Sequence, residues 1–277
     1  MHKKIYMIYG EELKLVQTIE VDILKEIIRV CSKRDIEYFI VGGTALGAVR
    51  HGGFIPWDDD IDIGMTRVNY NKFLDIAKDE LSEKFFLQTV FTDSESPFHF
   101  AKVRKNGTKF IEYYCRDLNI HQGVFVDVFP YDNIPDDPHL KKKQYIKTAI
   151  LSNLFVSKTV KELSIEVASK KDYIKNISRY SLYYLLKPIP KKTLYKMLEK
   201  EIQKYNSIET SSRCYVKTPA LLIKNEFLYP IKNMKFEDIM VSAPSDCHSY
   251  LSSQYGDYMK LPPEEKRHGH KPYILEV

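Results

Sequence analysis

The residues with the clearest chemical potential are the aspartates of the run Asp58-Asp-Asp-Ile-Asp62. The alternation of Asp60 and Asp62 with isoleucine predicts a strand over residues 60–65, whose two-residue period places both carboxylates on one face. Adjacent carboxylates repel each other unless a cation lies between them, and such oxygen ligands suit Mg²⁺ or Mn²⁺. We therefore predict that Asp60 and Asp62 bind metal, and that Asp58 and Asp59 shape the preceding loop.

A third carboxylate, Asp127, stands alone in the apolar run Gly123-Val-Phe-Val-Asp-Val-Phe129. This run predicts a buried strand, and a buried carboxylate needs a partner. If the strand lies beside that of Asp60, three carboxylates converge. Such a set can hold two ions about 3.5–4 Å apart, as in enzymes of in-line phosphoryl displacement. We therefore predict that Asp60, Asp62 and Asp127 are both metal ligands and catalytic residues, with Mg²⁺ or Mn²⁺, two ions, as the cofactor.

A phosphate-binding turn is predicted just before the aspartates. Gly42 and Gly43 let the backbone approach a phosphate closely. Thr44 is expected to cap a helix that runs to Arg50, and the free backbone N–H groups at the start of this helix favour an anion. Arg50 can turn toward a phosphate oxygen as a bidentate donor. Lys102 and Arg104 alternate on a later predicted strand. Either both side chains face the phosphate groups of a bound substrate, or they form a solvent-exposed face beside Asn106-Gly107.

The elements that must position these residues follow from periodicity. A strong hairpin signal, Asn106-Gly107, separates two of the predicted strands, those over 98–104 and 108–113. Residues 1–137 are expected to form the catalytic core, residues 138–212 a helical region, and residues 213–277 a segment that completes the active site. Helices are predicted over 13–30, 44–50, 68–81, 139–157, 161–187, 191–205 and 243–255, and strands over 37–41, 60–65, 85–90, 98–104, 108–113, 123–129 and 236–241.

Composition narrows the class of protein. The net charge is +5, and lysines cluster in the middle of the chain. These lysines form a solvated helix face, or they attract an anionic membrane surface or a phosphate-rich substrate. No C-x-x-C pair is present, and neither a signal peptide nor a run of about 20 apolar residues is evident. We expect a cytoplasmic protein, at the inner face of the membrane if it makes peripheral membrane contact, with no nucleic-acid partner.

Three blocks of the sequence resemble the LicD family, bacterial phosphotransferases that share their motif with fukutin and fukutin-related protein. The first block runs from Val41-Gly-Gly-Thr to Trp57-Asp-Asp-Asp-Ile-Asp-Ile-Gly64 and is long enough to be very specific. The others are Gly123–Pro130 and Tyr255–His270. The resemblance implies an α/β (α+β) nucleotidyltransferase-like fold, a small mixed sheet flanked by helices, with an added helical region.

The resemblance also implies an activity. The family's usual donor is a CDP-alcohol, most often CDP-choline, and its product is a glycan carrying a phosphodiester-linked alcohol, with CMP released. The acceptor is expected to be a lipid-linked precursor of teichoic acid, capsule or lipopolysaccharide. By the same match, Arg267, His268 and His270 close over the donor or product phosphate. The family matches Asp60, Asp62 and Asp127 to its metal-binding carboxylates.

Two other hypotheses remain open at this level. A protein of the same fold can transfer a nucleotidyl group, which places the attack on the nucleotide's own phosphorus. A non-catalytic binding protein with a degenerate site is the third possibility. The presence of all three carboxylates argues against it, because an inactive relative is expected to lose at least one.

Overall fold

The computed structural model describes residues 7–162, 170–215 and 221–277, with side chains of the fifth helix described from Asn176 onward. The helices are α1 Gly10–Arg34, α2 Gly42–His51, α3 Arg67–Glu80, α4 Pro138–Ser157, α5 Lys170–Leu185, α6 Lys191–Ile202, α7 Asn225–Leu228 and α8 Cys247–Tyr255. The strands are β1 Phe39–Ile40, β2 Asp62–Thr66, β3 Phe85–Gln88, β4 Ala101–Lys105, β5 Lys109–Ile111, β6 Phe125–Ile134, β7 Ser212–Cys214, β8 Ile223–Lys224, β9 Lys232–Phe236, β10 Ile239–Ala243 and β11 Ile274–Glu276.

A central mixed sheet organises the protein, in the strand order β1-β2-β6-β4-β3. Strands β2 and β6 run parallel, and the other pairs are antiparallel. All ten residues of β6 are buried, which explains its apolar sequence. Strand β7 pairs with the carboxyl end of β6, and β8 extends from β7. The predicted class, a mixed sheet flanked by helices, is confirmed.

Helix α1 packs its apolar stripe against β4 and β6, and α3 contacts β2, β3 and β6. The predicted stripe of α1 is in the core, with Val16, Ile23, Ile27 and Val30 fully buried. The helix ends with Asp35 in the left-handed region, at a φ of 51°. The site described below is therefore supported by one continuous apolar core.

The region after β6 is helical, as predicted, although residues 163–169 lie outside the described part of the chain. Asp137 caps α4 by accepting from the backbone N–H groups of His139 and Leu140. Helices α4 and α6 pack around a second, smaller apolar cluster, whose members include Phe155, Leu194 and Leu198. The division of the chain at residues 137 and 212 stays a prediction.

A buried ion-pair network ties this helical region to the central sheet. Arg67, at the start of α3, donates to both carboxylate oxygens of Asp132 at 2.8 and 2.6 Å, and to Glu199 of α6 at 2.9 Å. Asn206 donates a further hydrogen bond to Asp132. Because Asp132 is fully buried, its charge depends on these donors.

Three local predictions were wrong. Asn106-Gly107 does not connect a hairpin, because β3 and β6 occupy the two edges of β4, and β5 pairs with β11 instead. The predicted single strand over 236–241 is a hairpin of β9 and β10 that turns at Glu237 and Asp238. Helix α2 begins at Gly42, so Thr44 lies inside its first turn and does not cap it. Within the described ranges, no helix has the length and apolar character to cross a membrane.

Candidate active site

Two of the predicted carboxylates meet through strand pairing. Asp62 of β2 lies directly opposite Asp127 of β6 in the parallel pair, and the backbone N–H of Asp127 donates to the carbonyl of Ile61 at 2.9 Å. On the other side of β6, Lys102 of β4 lies opposite Asp127, with its Nζ 2.7 Å from Asp127 Oδ1. The expectation that the Asp127 strand lies beside the Asp62 strand is confirmed.

Asp60 precedes β2 and completes a group that we call the carboxylate cluster: Asp58, Asp60, Asp62 and Asp127. Burial raises the pKa of Asp62 well above its usual range, and repulsion from Asp60, Asp127 and Asp58 raises it further. Burial and the neighbouring carboxylates likewise raise the pKa of Asp58 to about 8. Ionising the whole cluster would therefore place more negative charge here than its protein surroundings balance.

The buried ammonium of Lys102 provides part of that balance. Burial raises the pKa of Asp127, and the charge and hydrogen bond of Lys102 lower it. The Lys102 Nζ lies 3.4 Å from the ring centre of Phe125 and 4.4 Å from that of Phe98, and the side chain is almost wholly inaccessible. Lys102 thus faces the cluster from inside an aromatic wall.

The glycine turn lies against the same carboxylates. Gly42 has a φ of +55°, which favours glycine, and its backbone N–H donates to the Tyr250 hydroxyl at 3.1 Å. A Cβ at Gly43 would lie 2.8 Å from Asp58 Oδ2, so a larger residue there would have to displace the Asp58 carboxylate. The start of α2 is therefore packed against the cluster, and phosphate binding at this turn stays a prediction.

Thr44 has a role other than the predicted cap. Its hydroxyl accepts a hydrogen bond from the backbone N–H of Asp62 at 2.8 Å. This bond joins the first turn of α2 to the first residue of β2. Thr44 therefore fixes the backbone that carries the Asp62 carboxylate.

The C-terminal segment closes over the aspartate loop. Asp59 Oδ1 accepts from the backbone N–H of His270 at 2.8 Å and lies 3.0 Å from its ring Nδ1. A Cβ at Gly269 would collide with Asp59 Oδ1 and lie 2.8 Å from the backbone carbonyl oxygen of Trp57, so the close approach requires glycine. Among the described residues, Asp59, Asp60 and His270 present ligand atoms within 4.8 Å of one another, a second grouping that could hold a metal ion.

The charge of His270 depends on these aspartates. Burial lowers the pKa of His270, but the hydrogen bond to Asp59 and the charges of Asp60 and Asp59 raise it to about 10. The neighbouring aspartates therefore favour the protonated form of the imidazole.

Three other predicted site residues are hydrogen-bonded to other groups, and a fourth is exposed. Arg104 is buried and donates to the Gln88 side chain and the Gly123 carbonyl, each at 2.6 Å. Arg50 donates to the Tyr258 carbonyl at 2.8 Å, and Arg267 donates to the Pro262 carbonyl at 2.8 Å. His268 is exposed. The guanidinium carbon of Arg267 also lies over the Trp57 ring, 5.5 Å from its centre.

Two residues of the site were missed from the sequence. Glu20 of α1 is 1% exposed, and burial and the charges of the cluster raise its pKa well above the usual range. It occupies a core position of the α1 stripe, four residues after Val16 and three before Ile23, and this placement was the available signal. The Tyr255 hydroxyl lies at the Gly42 turn, and burial and Asp62 raise its pKa to about 12.

The chain is similar in sequence to several known proteins. The lipopolysaccharide cholinephosphotransferase LicD of Haemophilus influenzae is 29% identical over 269 residues, which cover 94% of this chain and 97% of that protein. An uncharacterized protein of Rickettsia prowazekii is 29% identical over 169 residues, 57% of this chain and 52% of that protein. The ribitol 5-phosphate transferase FKRP of Mus musculus is 44% identical over 39 residues, 14% of this chain and 8% of that protein.

The model of the LicD/FKTN/FKRP nucleotidyltransferase domain matches residues 35–192. That range contains the glycine turn, the aspartate run and the β6 strand with Asp127. The chain therefore belongs to the LicD family.

Proposed function

We propose that this protein transfers a phospho-alcohol, in particular phosphocholine, from a CDP-alcohol to a hydroxyl of a cell-surface glycan precursor and releases CMP. The observation that carries the proposal is the pairing of Asp62 with Asp127 beside the glycine turn of α2. The relative of nearly equal length is a lipopolysaccharide cholinephosphotransferase, which supports a phosphocholine transferase in particular. Teichoic acid and capsule precursors are acceptors of the same chemical class.

The residues fit a divalent metal ion. Asp60, Asp62 and Asp127 bring oxygen ligands into one site, where Asp60 and Asp127 raise the pKa of Asp62 and Asp60 raises the pKa of Asp127. A bound cation relieves this repulsion. Mg²⁺ or Mn²⁺, as one or two bound ions, would neutralise the donor pyrophosphate and lower the pKa of the acceptor hydroxyl. His270 and Asp59 form a grouping that shares Asp60, and they support the same loop.

The chain's own groups do the remaining work by binding and orientation. The N-terminus of α2, at Gly43 and Thr44, directs its helix dipole at the donor phosphates. Lys102 holds Asp127 in one orientation through the 2.7 Å ion pair. The acceptor oxygen forms a bond to the phosphorus that bears the alcohol, the bond from that phosphorus to the CMP oxygen breaks, and the hydroxyl proton passes to a carboxylate of the cluster.

Nucleotidyl transfer is the second candidate, because the matching family model is described as a nucleotidyltransferase domain. The two reactions differ in which phosphorus is attacked. Phospho-alcohol transfer releases CMP, whereas cytidylyl transfer leaves CMP on the acceptor and releases the phospho-alcohol. Product identity therefore separates them.

The test combines binding with product analysis. Thermal shift against CDP-choline, CDP-ethanolamine, CDP-glycerol and CDP-ribitol with Mg²⁺ selects the donor, and mass spectrometry follows CMP and phospho-alcohol with de-acylated lipopolysaccharide or lipoteichoic acid as acceptor. We expect CMP release that Asp62→Asn abolishes and that Asp79→Asn, on the exposed side of α3, leaves unchanged. Free phosphocholine with a cytidylylated acceptor would overturn the proposal in favour of nucleotidyl transfer.

A further inference from the structure

Helix α5 presents apolar and aromatic side chains to solvent. Ile177, Tyr180 and Tyr184 follow the i, i+3, i+7 spacing of one helix face, and Leu185 and Ile189 continue it into the following turn. Leu185 is 72% exposed and Ile177 is 50% exposed. We call these five residues the Tyr184 face.

This face is not the side by which α5 packs on the protein. Leu182 contacts the second apolar cluster, and Leu186, next to α5, is buried in that cluster. The helix therefore uses other positions to bind its own chain. Solitary exposed apolar residues are ordinary, but five on one side of a helix and its turn mark an interaction surface.

The sequence around the Tyr184 face is basic, and the structure places one carboxylate, that of Glu162, near Tyr180. Between Tyr173 and Leu198 the sequence contains no aspartate or glutamate and six basic residues, of which Lys187, Lys192 and Lys196 are exposed. The Lys187 Nζ lies 4.7 Å from the ring centre of Tyr184, and the Tyr180 and Tyr184 hydroxyls are 3.2 Å apart. Aliphatic and tyrosine side chains are thus bordered by lysines.

That combination matches the interface of an anionic bilayer. Tyrosine places its ring at the headgroup level, leucine and isoleucine enter the acyl boundary, and lysines pair with acidic headgroups. A protein partner of comparable apolar area would need an acidic rim to match the same lysines. Aliphatic, tyrosine and lysine side chains occur together on this side of the helix, and this combination favours a lipid surface over a protein partner.

We propose that the Tyr184 face docks this protein on a membrane surface that contains anionic lipids. The inference rests on exposure and charge alone, and it holds whichever phosphoryl group the enzyme transfers. Its failure would leave the proposed reaction intact, and failure of the reaction would leave the docking surface intact.

The experiment is vesicle co-sedimentation of the full chain. Wild-type protein is mixed with vesicles of phosphatidylcholine alone, or of phosphatidylcholine with phosphatidylglycerol, at low and high salt. We expect binding to the anionic vesicles that weakens with salt, because exposed charges are screened. The double variant Tyr184→Ser/Leu185→Ser should lower the partition coefficient at least about tenfold, and Lys187→Glu/Lys192→Glu should do the same.

The matched control is Val68→Ser, which removes an exposed apolar side chain of α3 that lies outside the Tyr184 face. It should bind vesicles like the wild type, and all variants should keep the wild-type circular dichroism and Tm. Absence of wild-type binding to the anionic vesicles, or equal loss in the control and the face variants, would overturn the proposal. Self-association in analytical ultracentrifugation that Tyr184→Ser/Leu185→Ser abolishes, without vesicle binding, would assign the face to a second copy of the chain instead.

Discussion

Replacing Lys102 with methionine isolates the charge that the protein itself supplies to the carboxylate cluster. Methionine is close to lysine in shape, and a thioether is well accommodated beside the rings of Phe98 and Phe125. The packing of the aromatic wall is therefore largely kept. What the substitution removes is the ammonium 2.7 Å from Asp127 Oδ1.

The expected cost follows from that distance. At an effective dielectric constant of about 20, opposite unit charges 2.7 Å apart attract each other by about 6 kcal/mol. The variant no longer buries an ammonium, which recovers part of this energy, and breaking a buried pair usually costs about 3–5 kcal/mol. For a chain of this size we expect the Tm of the metal-free protein to fall by roughly 6–20 °C.

The assay is thermal unfolding of wild type and Lys102→Met in EDTA and in Mg²⁺. Because the ammonium competes with a metal ion for Asp127, Mg²⁺ should raise the Tm of the variant by more than it raises the Tm of the wild type. Lys105→Met is the control, because Lys105 lies on the same strand but pairs with the half-exposed Asp22, and it should cost about 1 kcal/mol or less.

A Lys102→Met protein with wild-type Tm in EDTA would refute the assignment of Lys102 as the counter-ion of Asp127. An equal Mg²⁺ response in both proteins would refute the competition between the ammonium and the metal.

Three further predictions concern the site and its support. Asp62→Asn should raise the Tm of the EDTA-treated protein by a few degrees while activity is lost, because it removes one of the repelling charges; a lower Tm in EDTA would contradict the repulsion. Thr44→Val should cost about 1–3 kcal/mol in urea unfolding by leaving the Asp62 N–H unpaired, and Thr44→Ser should recover it; an equal loss in the serine variant would point to packing. Arg67→Met should lower the free energy of unfolding by about 3–5 kcal/mol, because it removes the guanidinium partner of Asp132. The double variant with Asp132→Asn should regain part of this stability. Strict additivity of the two single losses would argue against a direct pair.

The sequence predicted the parts of this protein that depend on local pattern. The α1 stripe repeats every three to four residues, so its buried side is evident, and the apolar run around Asp127 identifies a buried strand. The pairing of that strand with β2 could be stated only as a condition, because register between distant strands leaves no local mark. The structure confirms the condition.

The errors arose where local chemistry competed with the rest of the fold. Asn106-Gly107 is a good turn sequence, but β4 has both edges occupied and cannot accept β5. Thr44 is a good capping residue, yet Gly42 begins the helix two positions earlier and leaves the Thr44 hydroxyl for Asp62. Glu20 went unnoticed because a search for apolar periodicity passes over a charged residue at a core position.

The register of β2 on β6 has a consequence for how the protein matures. Asp62 and Asp127 are neighbours only after two strands distant in the chain have paired, and contacts of long sequence separation form slowly. Helices α1 and α3 depend on nearby residues and are expected to regain their circular dichroism signal first. Recovery of enzymatic turnover after dilution from denaturant should therefore lag behind the helical signal. The rate at which activity returns would then report the rate at which β2 pairs with β6.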